Sequence, residues 1–344
     1  MPFTLSVPHR SIILFNNGYN GSSLKERITL RPIIYGLLGA FFFAFTFILN
    51  RSMELSGGSW VWSASLRFLF TLPILALFLI YKGTLQQAWQ HLHTHLKPYL
   101  LWSTVGFGIF YAPLCFGSAY GEGWLIAGTW QIVIITGSLV APFFMTNKTV
   151  EGQTIQVRQK IPWKSLKWSL LILIGIALMQ AEHASVTSVK QIMLCVLPIL
   201  IAAFAYPLGN RKMMEICQSD VGTLERVFNM TLASMPFWFL LMLYGVWDTG
   251  LPSHAQIIQS SLVALFAGVI GTLFFFAATN LVRHSLHKLA AIEATQSAEV
   301  IFALLGEILF LSAALPSPLS LLGILLITAG IILHSTRQAP SGLK

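Results

Sequence analysis

The chain has 344 residues, 55% of them hydrophobic and 10% charged, with a formal net charge of +9 and a mean hydropathy of +0.72. Soluble domains carry about a quarter charged residues, so this composition excludes a water-covered globule of this length and points to a chain solvated by lipid. The positive charge sits in short connections between apolar runs, with no basic helix face and no interleaved aromatics, which argues against a nucleic-acid partner.

Residues 1–30, MPFTLSVPHRSIILFNNGYNGSSLKERITL, stand apart. Their apolar part, SIILF, is too short for a signal-peptide core and no small-residue cleavage site follows, so the stretch reads as a cytoplasmic extension. Apolar runs long enough for about 30 Å of hydrocarbon then follow at 32–50, 60–80, 99–119, 123–145, 165–181, 189–209, 223–247, 257–281, 288–311 and 319–336. Trp60, Tyr81, Tyr99, Trp124 and Trp247 mark interface depth at their ends.

With a cytoplasmic N-terminus, the outside connections hold only Arg51 and Lys190, and Arg67 and Arg226 lie within spans; every other Lys and Arg falls inside. The positive-inside rule selects this orientation, with both termini cytoplasmic. The HLHTH run at 91–95 falls in a cytoplasmic connection without a carboxylate or cysteine beside it, so it reads as an amphipathic surface segment rather than a metal site. Cys115, Cys195 and Cys217 have neither disulfide nor metal spacing. The chemistry calls for no cofactor.

The spacing contains a repeat. FTFILNRSMEL closes span 1 and FAYPLGNRKMMEI closes span 6; LLILIGIALMQ in span 5 aligns with LLITAGIILHS in span 10, pairing Gly175 with Gly330. AGTWQI in span 4 aligns with EATQSA in span 9, pairing Gln131 with Gln296. Five spans per unit make the second unit start from the opposite side, so the expected fold is an all-α integral membrane protein of ten transmembrane helices in two inverted repeats. The units run over 31–182 and 183–337, with a cytoplasmic tail at 338–344.

NRSMELSGGSWVWSASLR, WSTVGFGIFYAPLCF, GWLIAGTWQ, AFAYPLGNRKMME and KLAAIEATQSAEVIFALLGE together resemble the multidrug resistance efflux transporter family of the drug/metabolite transporter superfamily, alongside the EamA-like permeases. The resemblance covers roughly 31–337 and implies a ten-helix carrier of the bacterial inner membrane that works by alternating access. Small four-helix exporters of that superfamily carry their proton-binding glutamate in the first helix. Span 1 here has no acid, so that site does not transfer by position.

Span 9 supplies the chemistry instead. At 100° per residue Glu293, Gln296 and Glu299 sweep an arc of about 120°, and Glu307 returns to nearly the direction of Gln296. A polar stripe of this kind must face other helices or a water-filled cavity. Glu299, near mid-membrane, is the expected proton carrier, with Glu293 as second candidate; Glu307, at the span end, reads as a solvated rim residue. Gln296 and Gln131 are the expected hydrogen-bonding groups for substrate. Trp130 offers a face for an aromatic or cationic group and Tyr111 a hydroxyl, though packing roles are equally open to both. Arg67, too deep to reach the interface, either receives an anionic substrate group or serves as a structural counter-ion, for instance to Glu299. Arg226, beside Glu225, is expected to snorkel.

These residues point to a secondary active transporter, not an enzyme, exchanging protons for small amphipathic or cationic compounds; export of an amino acid or related metabolite is the alternative. No nucleotide loop, activated nucleophile or intramembrane metal spacing is present in the sequence. Ten spans can enclose a site in one chain, so either a monomer or a homodimer suits the reading. The partners expected are a small-molecule substrate, the proton and the bilayer.

Overall fold

The computed structural model describes residues 21–150, 153–217, 220–282 and 291–337. Its apolar helices, in chain order, are α1 (Leu30–Leu55), α2 (Trp60–Lys82), α3 (Leu96–Ser118), α4 (Gly123–Leu139), α5 (Ser169–His183), α6 (Val189–Cys217), α7 (Thr223–Thr249), α8 (His254–Val282), α9 (Ala291–Leu311) and α10 (Pro318–Ser335). Among the described residues eight are long and apolar enough to cross a membrane; α4 and α5 are shorter apolar helices. Residues 21–30 of the expected extension are helical and run into α1. Residues 1–20, the 338–344 tail and the first part of span 9, with Arg283 and Lys288, lie outside the described residues.

The all-α expectation needs one correction. After α4 the chain forms an antiparallel hairpin, β1 (Met145–Val150) and β2 (Gln153–Arg158). Span 4 was expected to reach 145, but the helical run stops near Pro142. The next segment, TNKTVEGQTIQVR, is rich in β-branched residues, which suits paired strands.

Helix ends and interruptions follow local chemistry. Ser59 caps α2 by accepting from the Val61 amide at 3.3 Å, and Gly83 ends that helix at φ 71°, a conformation glycine adopts without steric cost. A π-helical stretch, Thr104–Ile109, interrupts α3 just before Pro113, whose missing N–H leaves the Ile109 carbonyl without its usual donor. A second π stretch, Ala264–Gly271, interrupts α8. Helix α4 is broken at Gln131–Ile132, and α9 narrows to a 3-10 turn at Thr295–Ser297. Both breaks fall at the paired glutamines.

The outside of the bundle is apolar and the inside carries polar groups. Leu77, Leu243, Phe310 and Leu325 are exposed, whereas Ser65, Asn229, Ser260 and Glu307 are buried. In water this arrangement would be inverted; in lipid, where polar atoms must find partners within the protein, it is the stable one. The chain is an integral membrane protein.

Helix α5 packs on α10, α2 on α7 and α4 on α9; α1 packs on α8 and α9, while α6 packs on α3 and α4. Small residues permit the closest of these approaches. A side chain at Gly175 would collide with Ile327 and the Gly323 carbonyl, and one at Gly330 would collide with Ile172. Gly106 of α3 likewise lies against the Gly209 backbone of α6.

Candidate functional site

A cavity of about 370 Å³ lies among the helices, walled by every one of them except α5. Its walls come from the C-terminal ends of α6 and α10, the start of α7 and the first half of α9, so it is displaced toward that end of the bundle. The interruptions in α4 and α9 aim Gln131 and Gln296 into it, because a helix that changes pitch releases side chains from the regular stripe.

The structure brings Arg67, Trp130, Gln131, Glu293, Gln296 and Glu299 into this one cavity. Glu299 is 5% exposed and, among the described residues, has neither a hydrogen bond nor an ion pair. The Nε2 of Gln296 is likewise buried without a partner, while the Gln131 Nε2 donates to the Ala127 carbonyl at 3.2 Å. Glu293 is exposed at the cavity mouth, within electrostatic reach of Arg211.

Arg67 lies over the Tyr111 ring with its guanidinium carbon 4.1 Å from the centroid, and its Nη1 donates to Thr46 Oγ1 at 3.5 Å. No carboxylate among the described residues pairs with it, so the counter-ion alternative with Glu299 is absent there. Tyr111 is fully buried behind Arg67, outside the cavity lining, and its hydroxyl accepts from Asn50 Nδ2 at 3.5 Å. Trp130 forms an aromatic wall with Phe110 at 5.1 Å and Tyr206 at 5.7 Å between ring centroids. Tyr206 stands within electrostatic reach of both Glu299 and Arg67.

Several wall groups went unassigned in the sequence. Arg211 donates to the Gly137 carbonyl at 2.7 Å near the end of α4, where a cation also meets the negative end of the helix dipole. His334 is buried between Ser138 and Ser169, with ring nitrogens 3.3 and 2.7 Å from the two hydroxyl oxygens. Both residues were visible in segments read for the repeat, NR at the end of span 6 and LHS at the end of span 10.

Glu307 overturns its expected rim position. It is 1% exposed, and its carboxylate accepts from the amides of Gly123 at 2.8 Å and Trp124 at 3.0 Å, the first residues of α4. In the HLHTH run, His91 is buried with Nδ1 3.0 Å from the Tyr99 hydroxyl, and His95 stacks on it. Glu225 is also buried; it accepts from Thr84 Oγ1 at 2.8 Å and lies 3.8 Å from Lys82.

Comparison with known proteins agrees with this layout. The chain is 51% identical over 311 residues to the uncharacterized protein YjlA of Bacillus subtilis (strain 168), covering 90% of this chain and 96% of that one. It is 43% identical over 270 residues to an uncharacterized 42.1 kDa protein of Shouchella clausii, covering 78% and 70%. A solved crystal structure of a protein 12% identical superposes with a TM-score of 0.57 over 88% of this chain and 95% of that chain, a likeness that shows the fold alone. A family model described as "Putative multidrug resistance efflux transporter" matches residues 30–340. The chain therefore belongs to that family of membrane transporters.

Proposed function

We propose that the chain is a secondary active transporter that moves small amphipathic or cationic compounds against protons by alternating access, with Glu299 as the proton carrier. One observation carries the reading: a buried carboxyl with no hydrogen bond or ion pair among the described residues, on the wall of an aromatic-lined cavity. A permanent charge in such a place is costly, so a carboxyl there is neutral while it holds a proton and, once ionised, takes a cation as its partner. The Phe110–Trp130–Tyr206 wall favours an organic cation by offering ring faces beside that carboxyl. Gln296 and Gln131 supply donors and acceptors to orient the substrate, and Glu293 is the second proton site nearer the cavity mouth.

The same reading takes the bundle as ten spans in two inverted repeats, with both termini in the cytoplasm of a bacterial cell. Exchanging each helix with the one five places later turns the α1–α8 and α1–α9 contacts into α6–α3 and α6–α4. It leaves α2–α7, α4–α9 and α5–α10 unchanged, and it turns the Gly175–Ile327 contact into Gly330–Ile172. Such symmetry supports two conformations of equal architecture that open to opposite sides. On the expected orientation the cavity is displaced toward the cytoplasm.

A second reading, export of an amino acid or related anion, draws support from Arg67, which lines the cavity without a carboxylate partner among the described residues. Reconstituted protein in liposomes carrying a pH-sensitive dye tests both. Gradients of cationic and anionic candidates are imposed on the native chain and on Glu299→Gln. Proton movement driven by a cation in the native chain and absent in Glu299→Gln supports the first reading. Normal coupling in the variant overturns Glu299 as carrier, and a response to amino acids alone favours the second reading.

A further inference from the structure

The third carboxylate of α9 does something different from the other two. Eight residues beyond Glu299, Glu307 leaves the cavity and grips the start of α4. A helix N-terminus has amides with no partner inside the helix, and a residue just before it ordinarily supplies the acceptor. Here that residue, Glu122, makes no side-chain cap bond, and the acceptor arrives from another helix, 184 residues away in sequence. The junction is tight. Gly123 lies against both Glu307 Oε1 and the Phe47 carbonyl of α1, and Gly306 packs on the Ile48 side chain. Phe47 and Leu114 close the cavity at this end, opposite the mouth marked by Glu293.

We propose that Glu307 is the latch of the outer seal, joining α9 to α4 while the cavity faces the cytoplasm and releasing when a proton from the outer side neutralises it. The proposal rests on the alternating-access reading. Helices α1, α4 and α9 meet at this carboxylate, so opening on this side requires the two amide bonds to part. Protonation turns one oxygen from acceptor into donor, and that donor then faces the Gly123 or Trp124 amide. Glu307→Gln imposes the same mismatch at nearly the same volume. Arg51 of α1 and Glu122 are the charged groups within electrostatic reach, of opposite sign to one another, so neither alone holds the carboxylate in one state. Glu307 is thus a positioning residue, acting through α4 on Trp130 and Gln131.

The test places a reporter cysteine at Leu114, 2% exposed in this closed form, in a full chain whose native cysteines are replaced by alanine. Intact cells are treated with a membrane-impermeant maleimide. Each rate is divided by that of Ser56→Cys, an exposed position, to remove the pH dependence of thiol reactivity. Lowering external pH from about 7.5 to about 5.5 should raise labelling in the native background about tenfold, the population shift produced by losing one net hydrogen bond to a charged group. Glu307→Gln should label at the high rate at both pH values. Equal pH responses in the two backgrounds overturn the latch while leaving alternating access intact. A native reporter that never becomes labelled, at any pH and with any transported compound, overturns both.

Discussion

Glu299 and Glu307 sit on one helix, 5% and 1% exposed, and differ in almost nothing except their neighbours. Glu307 has two backbone amides aimed at it; Glu299 has no hydrogen-bond or ion-pair partner among the described residues. Burial alone is therefore a poor guide to what an intramembrane acid does. A satisfied carboxylate is part of the frame, and its removal leaves donors stranded. An unsatisfied one is held in a state that a proton or a cationic ligand relieves, which is the condition a carrier needs.

That contrast is open to direct attack. The largest effect expected is on transport: Glu299→Gln should reduce proton-coupled flux at least about 100-fold, since an amide of the same shape cannot exchange a proton. Its unfolding midpoint in detergent should stay level or rise, because no hydrogen bond to the carboxyl is lost. Glu307→Ala should do the reverse to stability, costing about 3 kcal/mol by stranding two amides at a buried helix start. A thermal melt in which the two variants fall equally would erase the distinction.

The proposed repeat predicts matched effects at paired glycines. Gly175→Val and Gly330→Val each push a β-branched side chain into the α5–α10 contact and should cost about 1–3 kcal/mol apiece by overpacking. Near-equal losses support the proposed repeat; a several-fold difference argues against it. Arg67→Met separates the two substrate readings, because it should raise KM for anionic substrates about tenfold and leave cations nearly unaffected. Transport assays with both classes read this out.

The smallest effect expected lies outside the membrane. Burial, reinforced by neighbouring His95 and opposed by Asp220, holds the His91 imidazole below its ordinary pKa. The unfolded chain takes up that proton near pH 6.5 while the folded chain resists it, so the contribution of His91 is complete above about pH 6.5 and is lost as pH falls through the folded value. The midpoint should drop by roughly 1–2 °C on acidification, and His91→Gln should flatten that slope.

Much of the architecture was legible in the chain. Apolar runs located most helix ends to within about four residues, because hydrocarbon thickness sets their minimum length, but span 4 overran its helix and span 6 fell short. The paired glutamines were visible as a repeat, and the structure adds that both mark interruptions in their helices. The hairpin strands were missed because only apolar runs were read as elements, and the connection between 145 and 165 is polar. Glu307 was misread because position along a span reports depth and says nothing of what crosses it there.

Composition, periodicity and the Lys/Arg distribution by themselves determined that this is a multi-helix membrane chain and which helix concentrates its acids. Each depends on residues near one another in sequence and on the solvent around them. Tertiary structure alone decided that Arg67 has no acidic partner among the described residues, that Tyr111 stands behind the cavity wall, and that Glu307 caps α4 from another helix. Those outcomes depend on contacts between distant segments, and a carboxylate is framework or free to bind according to whether packing brings a donor within about 3 Å of it.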